Sequence, residues 1–173
     1  FQMTLANAAI ASLGSLRDPL AIVDVGDSAG SHIQYLKALH KERELQCTSV
    51  NIDPAAIRRI REKGLQAELA GAEEVGRRGI KADIFLSFEM LEHLESPIQF
   101  LRSLSTHASC GALVITVPYV EQSRVGLHHI RHRLRQFRSP ETTHIFEFCP
   151  SDWRLLCMHA GWKVQKEQLY FQY

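Results

Sequence analysis

The segment AIVDVGDSAGSHIQYL, residues 21–36, decides the fold prediction because three local patterns follow one another in it. Residues 21–25 are mostly apolar and β-branched, which is typical of a strand buried on both faces of a parallel sheet. Gly26 and Gly30 then bracket a tight turn, and Ile33 and Leu36 follow at helical spacing. The segment therefore predicts a strand, a glycine-containing turn and a helix, with Asp24 just before the turn.

The same alternation continues along the chain. Further strands are predicted at CTSVNID (47–53), LQAELA (65–70), ADIFLSF (82–88) and GALVITVPY (111–119), and the last residues, WKVQKEQLYFQY (162–173), alternate like one or two strands more. Helices are predicted at 4–16, 31–42, 54–64, 96–108 and 151–161, with Ser96 and Ser151 as N-caps of the last two. Strands that alternate with helices predict an α/β fold, with a mostly parallel sheet covered by helices on both faces. We expect one domain, residues 3–173.

The alternation breaks after residue 119. Residues 120–144 are polar and basic, with no obvious strand. We interpret residues 119–150 as an excursion above the carboxyl ends of the strands, where open α/β sheets bind ligands. Arg124 and Arg131 are candidates there for binding an anionic group of a substrate, because guanidinium groups suit such anions. The alternative is a solvated basic helix.

Composition limits the classes of function. The formal net charge is +1 and 45% of the residues are hydrophobic, so no overall field draws the protein to nucleic acid or to a membrane surface. No apolar run approaches the roughly 18 residues that span a bilayer, and no secretory leader is visible. The four cysteines lack C-x-x-C spacing, which favours free thiols in a reducing compartment. We therefore expect a cytoplasmic protein, with binding to nucleic acid disfavoured but not excluded.

The turn at Gly26 does not have the spacing of a dinucleotide-binding loop. That loop has the pattern G-x-G-x-x-G, whereas Ser28 and Ser31 stand at its second and third glycine positions. What remains is D-x-G-x-x-x-G, beginning at Asp24. Asp53, at the tip of the second predicted strand, is well placed to accept hydrogen bonds from two ribose hydroxyls. The turn together with this acid favours a nucleoside-type cofactor other than NAD.

Six segments in order resemble the motifs of class I S-adenosylmethionine-dependent methyltransferases, and the resemblance runs from about residue 20 to about residue 166. They are VDVGDSAG, VNIDP, AEEV, ADIFLSFEMLEHLESP, GALVITVPY and THIFEFCPSDWRLLCMHAGWKV. The fourth is similar to the branch of the family whose motif reads FE-x-LEH. The resemblance implies a Rossmann-like three-layer sandwich and S-adenosylmethionine as cofactor.

The resemblance also implies roles for single residues. Gly26 and Gly30 would let the backbone approach the methionine part of the cofactor, with Asp27 and Ser28 between them in the same loop. Asp24 would fix the loop or meet the cofactor ammonium. The remaining predicted contacts are Asp53 at the ribose, Ala72 and Glu73 at the adenine, and Ser87 and Phe88 below the sulfonium. Two positions depart from the family: Ser28 replaces its middle glycine, and Gly71 stands where many relatives carry an aspartate that binds adenine.

Carboxylates and histidines follow the fourth predicted strand. We prefer a structural interpretation, in which Glu89, Glu92 and His93 brace the loop. A catalytic interpretation makes His93 a general base, because an ordinary histidine pKa of about 6.5 suits proton removal near neutrality. A third one is a metal site: small-RNA 3′-terminal 2′-O-methyltransferases carry such a set with a distant histidine, and two carboxylates with two imidazoles suit a divalent ion. Here the set would be Glu89, Glu92, His93 and His144, but relatives without metal carry it too, so we predict no metal. His144 is otherwise expected at the substrate side of the cleft.

The sequence thus predicts a methyltransferase that acts on a small or medium acceptor, with O-methylation of a hydroxyl or carboxyl as the first hypothesis. Two alternatives stay open. One is divalent-metal-dependent 2′-O-methylation of RNA, and the other is a non-catalytic cofactor-binding module.

Overall fold

The computed structural model describes residues 2–13, 18–108, 110–125 and 144–170. Five helices are present in these ranges: α1 (Gln2–Leu13), α2 (Ser31–Leu39), α3 (Pro54–Glu62), α4 (Pro97–His107) and α5 (Pro150–His159). The strands are β1 (Leu20–Val25), β2 (Leu45–Asn51), β3 (Gln66–Leu69), β4 (Ile84–Phe88), β5 (Ala112–Thr116), β6 (Arg124–Val125) and β7 (Phe146–Glu147). Ala72–Glu74 and Leu91–His93 form short 3₁₀ helices.

The first five strands form one parallel sheet in the order β3-β2-β1-β4-β5. Apolar side chains fill both of its faces. On one face Ala6, Ile10, Ile33 and Leu36 of α1 and α2 pack on the sheet, and on the other Phe100, Leu104 and Trp153 of α4 and α5 do so. The predicted α/β fold, a parallel sheet between two layers of helices, is confirmed.

The sheet order changes direction between β1 and β4, which are neighbours in space but not in sequence. The chain leaves β1 towards β2 on one side and leaves β4 towards β5 on the other. This divergence opens a crevice at the carboxyl ends of β1 and β4, the usual ligand site of an open α/β sheet. The Gly26–Gly30 turn and the Glu89–His93 segment lie on its two sides.

Three predictions of local structure were wrong. The last helix begins at Pro150 with Cys149 in the N-cap position, so Ser151 lies inside the helix. Residues 162–170 form no strand, although polar and apolar residues tend to alternate in their sequence. In the basic excursion β6 and β7 pair as a short antiparallel two-stranded sheet, although no strand was predicted there. Ser96 does occupy the N-cap position of α4, but its side chain makes no capping hydrogen bond.

Three further features concern the basic excursion, the cysteines and the helices. Residues 126–143, which include Arg131, are not among the described residues. All four cysteines are free. None of the helices in the described ranges combines the length and the hydrophobicity that a bilayer crossing requires.

Candidate functional site

The turn between β1 and α2 depends on backbone conformations that favour glycine. Gly26 has φ +97° and Gly30 has φ +73°, both in the left-handed region where a side chain is strained. A Cβ atom at Gly26 would lie 2.9 Å from Cγ of Met90, and one at Gly30 would lie 2.6 Å from Cδ1 of Leu65. The turn therefore requires glycine at both positions, and both had been predicted to lie in a tight turn. Ser28, between them, is exposed and is not among the residues with positive φ.

Asp27 organises the turn from inside. Its side chain is buried, and its Oδ1 accepts hydrogen bonds from the backbone N–H groups of Ala29 (3.0 Å) and Gly30 (2.8 Å). Its Oδ2 accepts from the Ser49 hydroxyl at 3.3 Å. Asp27 was predicted as a cofactor contact, whereas these three bonds fix the turn itself.

Asp24 is buried below the turn and is bonded on one side only. Its Oδ2 lies 2.8 Å from Nδ1 of His32, near the start of α2, while its Oδ1 has no hydrogen-bond partner. Burial raises the pKa of Asp24 to about 6, against the opposing effect of His32, and the bond to Asp24 raises the pKa of His32. Asp24, Asp27 and His32 could together ligate a cation by geometry, but most of their ligand atoms are already used within the turn.

Asp53 lies two residues beyond the end of β2 and caps α3. Its carboxylate accepts from the backbone N–H groups of Ala55 (2.8 Å) and Ala56 (3.1 Å). The residue at the strand tip is Asn51, whose Oδ1 accepts from the Asp53 N–H at 2.8 Å. The proposed ribose ligand therefore also holds the start of a helix, a role that Pro54 after an aspartate signals in the sequence.

Two apolar side chains that were not predicted stand exposed at the same edge of the sheet. Ile52, just after β2, is 64% exposed, and Leu69, the last residue of β3, is 45% exposed. Ala72 and Glu73, the predicted adenine contacts, follow β3 in a 3₁₀ helix and are partly buried. Exposed apolar surface beside a crevice suits the flat ring of a nucleobase. In the sequence, the one sign of this surface was Ile52 between the polar residues Asn51 and Asp53.

Ser87 and Phe88 end β4 at the floor of the crevice. The Ser87 hydroxyl is buried and has no hydrogen-bond partner. Phe88 is nearly buried and meets the His32 ring edge-on at 5.0 Å between centroids. They thus lie at the carboxyl end of β4, which neighbours β1 in the sheet, and their place below the sulfonium stays a prediction.

Glu89 has an unusual backbone conformation and an unpredicted partner. Its φ is +49°, the only positive φ of a non-glycine residue in the described ranges. Such strain persists only where the surroundings impose it, and it is concentrated at functional sites. The Glu89 carboxylate accepts a hydrogen bond from the Tyr170 hydroxyl at 3.3 Å. The C-terminal segment therefore reaches the crevice, although no sequence pattern distinguished Tyr170.

Glu92, His93 and His144 come together, although His144 is distant in sequence. One ligand atom from each lies within 4.8 Å of the others, and the rings of His93 and His144 are 4.9 Å apart. Ile145 N–H donates to the Glu92 carbonyl at 2.7 Å and so ties the two segments. Glu89, the fourth residue of the hypothetical metal set, is not part of this cluster in the structure.

The carboxyl group of Glu92 is the most unusual ionisable group in this cluster. Its side chain is fully buried, and neither oxygen has a hydrogen-bond partner within the described residues. Burial, opposed by the Glu92 backbone N–H and assisted by the charge of Glu89, raises the pKa of Glu92 to about 8. Loss of hydration lowers the pKa of His144, and the neighbouring His93 lowers it as well. Near neutral pH the Glu92 carboxyl group is therefore uncharged, and it lies beside the rings of His93 and His144.

Arg124, a predicted anion ligand, is engaged elsewhere. Its Nε lies 2.5 Å from Oε2 of Glu147, and both side chains belong to the paired strands β6 and β7. The Arg124 side chain is about half exposed.

Comparisons with known proteins agree with this fold. A family model described as a methyltransferase domain matches residues 4–167. A Haloferax volcanii protein described as a methyltransferase, in complex with the Trm112 methyltransferase activator, is similar at 14% identity and TM-score 0.65, over 92% of this chain and 68% of its own. A Galdieria sulphuraria protein described as a sarcosine dimethylglycine methyltransferase is similar at 16% identity and TM-score 0.65, over 92% of this chain and 58% of its own.

A third solved structure, the small RNA methyltransferase HEN1, is similar at 20% identity and TM-score 0.62, over 92% of this chain but only 21% of its own. None of the curated protein sequences compared with the chain matches it. The crevice and its glycine turn are thus those of a class I methyltransferase fold. The chain belongs to the methyltransferase domain family, because the family model matches most of this chain, residues 4–167.

Proposed function

We propose that the protein is an S-adenosylmethionine-dependent methyltransferase that methylates a hydroxyl oxygen of a small or medium acceptor. The cofactor assignment rests on the turn with positive φ at Gly26 and Gly30, which lies at the crevice at the carboxyl ends of β1 and β4. Membership in the methyltransferase family implies the same cofactor.

The residues of the crevice fit the parts of this cofactor. The unpartnered Oδ1 of Asp24 is an acceptor without a donor, which suits the ammonium group of the methionine moiety. Asp53 would hold the ribose, and the exposed side chains of Ile52 and Leu69 would flank the adenine together with Ala72 and Glu73. When bound, S-adenosylmethionine supplies an already activated methyl group, so the chain itself needs to position the acceptor and to take up a proton.

His93 is the residue that we propose as the proton acceptor. Its ring lies beside His144, and its Nε2 lies 3.8 Å from the carboxyl group of Glu92. The imidazole of His93 would take up the proton of the acceptor hydroxyl, while S-adenosylmethionine, when bound, would supply the methyl group from its sulfonium and be left as S-adenosylhomocysteine. Glu92 and His144 would orient that ring. A carboxylate acceptor needs no such base, and this favours the hydroxyl.

An anionic group elsewhere on the acceptor remains part of the proposal. Arg124 offers a side chain that is about half exposed, although Glu147 takes up Nε, and Arg131 is proposed on sequence alone. His144 would line the same side of the cleft. Replacing both arginines by alanine should raise the acceptor KM by roughly ten- to a hundredfold, with cofactor affinity within about twofold.

Calorimetric titration with S-adenosylmethionine, followed by a screen of hydroxylated acceptors, tests the proposal. We expect one binding site per chain and methyl transfer that falls steeply in the His93→Ala variant. Binding without transfer to any acceptor class would favour a non-catalytic cofactor-binding module. Absence of binding would refute the cofactor assignment.

A second function is favoured by one specific observation, the cluster of Glu92, His93 and His144. A buried carboxyl group without a partner, next to two imidazoles, is a suitable donor set for a divalent cation. The bound cation would supply a positive charge that polarises the acceptor hydroxyl. The similarity to a structure described as a small RNA methyltransferase makes 2′-O-methylation of an RNA end the corresponding activity to test.

Thermal unfolding with and without Mn²⁺ or Mg²⁺ decides between the two functions. The first predicts no shift of the melting temperature and no effect of EDTA on turnover. The second predicts a rise in melting temperature that disappears in the His144→Ala variant, together with metal-dependent methylation of RNA.

A further inference from the structure

Three consecutive carbonyl groups of the Gly26–Gly30 turn are bonded by side chains of the next β–α unit. The Asp27 carbonyl accepts from Nδ2 of Asn51 at 3.1 Å, and the Ser28 carbonyl from Nη2 of Arg59 at 3.1 Å. The Ala29 carbonyl accepts from Nζ of Lys63 at 2.6 Å. Arg59 and Lys63 lie four residues apart and therefore share one face of the helical end that faces the turn.

These bonds fix more than the carbonyl groups. The C=O and N–H groups of one peptide point in opposite directions because the peptide unit is planar and trans. Holding the carbonyls of Ser28 and Ala29 towards α3 therefore turns the N–H groups of Ala29 and Gly30 the other way, towards Oδ1 of Asp27. Asp27 inside the turn and the two cations outside it thus hold the same two peptide planes.

We propose that Arg59 and Lys63 are positioning residues that set the affinity of the turn for S-adenosylmethionine without touching it. This inference rests on the proposed cofactor. The backbone of this turn is held by side-chain donors that lie outside it. Asn51 belongs to the same set, but it is bonded to Asp53, the proposed ribose ligand. Arg59 also lies 3.7 Å from Oδ2 of Asp53, so of these residues only Lys63 tests the affinity without disturbing that ligand.

The test uses Lys63→Met, Arg59→Met and the double variant, because methionine keeps a long aliphatic side chain and removes the charged donor. Arg58→Met is the matched control. Arg58 is an exposed cation on the same helix, and no hydrogen bond joins it to the turn in the described part of the chain. Lys63→Arg, which restores a cationic donor, is the rescue variant.

Two measurements are made on each variant: hydrogen exchange of the turn amides in the free protein, and calorimetric titration with S-adenosylhomocysteine. We expect turn amides to exchange about tenfold faster in the double variant, with strand amides of β1 and β4 unchanged. Each single variant should weaken binding by about three- to tenfold, Arg58→Met by less than about twofold, and Lys63→Arg should restore most of the affinity.

The outcomes separate this inference from the proposed function. Unchanged exchange at the turn overturns the inference, and so does faster exchange with unchanged affinity. An equal loss of affinity in Arg58→Met would mean that net charge, rather than the two hydrogen bonds, sets the affinity. A wild-type protein that does not bind S-adenosylhomocysteine refutes the cofactor assignment and, with it, the role of Arg59 and Lys63 in affinity.

Discussion

Replacing Glu92 by glutamine should remove a pH dependence from the stability of the metal-free protein. Burial raises the pKa of Glu92 from its ordinary value of 4.5 to about 8. The folded protein therefore keeps this proton up to about pH 8, whereas the unfolded chain releases it near pH 4.5. Where the folded state binds more protons, the free energy of unfolding falls as the pH rises. Stability is thus unaffected below pH 4.5 and decreases between pH 4.5 and 8.

The size of this loss follows from the same two pKa values. One pKa unit corresponds to about 1.4 kcal/mol, so two and a half units between pH 4.5 and 7 amount to roughly 3 kcal/mol. Glutamine cannot ionise and escapes the loss. Its amide would still lack hydrogen-bond partners, but this cost is the same at every pH and does not alter the slope.

Urea unfolding at a series of pH values between about 5 and 8, with EDTA present, measures the difference in stability between Glu92→Gln and wild type. This difference should grow by about 1.4 kcal/mol per pH unit in favour of the variant. Glu95→Gln is the control, because Glu95 is exposed three residues further along the chain. Parallel stability curves for wild type and Glu92→Gln would refute the reasoning.

Two further predictions concern the turn and the helix that follows β2. Asp53→Ala should cost about 1 kcal/mol of stability through the lost N-cap and weaken cofactor binding by roughly 2–4 kcal/mol, whereas Asp53→Asn should keep the cap and lose the binding. Calorimetry that finds unchanged affinity in both folded variants would exclude the ribose assignment. Gly30→Ala should destabilise the protein by about 1–3 kcal/mol, more than Gly79→Ala, which has a similar φ of +69° but open space around its Cβ. Equal losses in the two glycine variants would show that contact with Leu65 has no effect.

Much of the fold could be predicted because its strands and helices carry local signals. β1 and β4 are largely apolar runs buried in one parallel sheet, and they diverge where the glycine turn was found. The wrong predictions concern features that depend on partners. Residues 162–170 alternate but have no neighbouring strand, and the two-residue strands β6 and β7 are too short to show a period. The start of α5 was misread because Pro150 favours the first helical position, which places the cap at Cys149.

The site could be predicted only where one segment supplies it. The turn from Asp24 to Gly30 and the Glu89–His93 segment were found from their spacing. The contacts of Tyr170 with Glu89, and of Arg59 and Lys63 with the turn, join distant segments through side chains that look like ordinary surface residues. Asp53 illustrates a different difficulty, because one aspartate before a proline satisfies both a helix cap and a ribose ligand.

Glu92 also distinguishes the two proposed functions, because each needs a different protonation state. If His93 removes a proton without a metal, a neutral Glu92 suffices, and glutamine should preserve turnover within about threefold while keeping a similar shape. If a divalent cation is bound, Glu92 must lose its proton, so metal affinity should rise up to about pH 8 and glutamine should abolish it. Burying the carboxylate costs more than burying the neutral acid, so a divalent cation bound at this site would have to supply that difference. Turnover of Glu92→Gln that stays within about threefold of wild type and is unaffected by either Mn²⁺ or EDTA would reject the metal and leave His93 as the base.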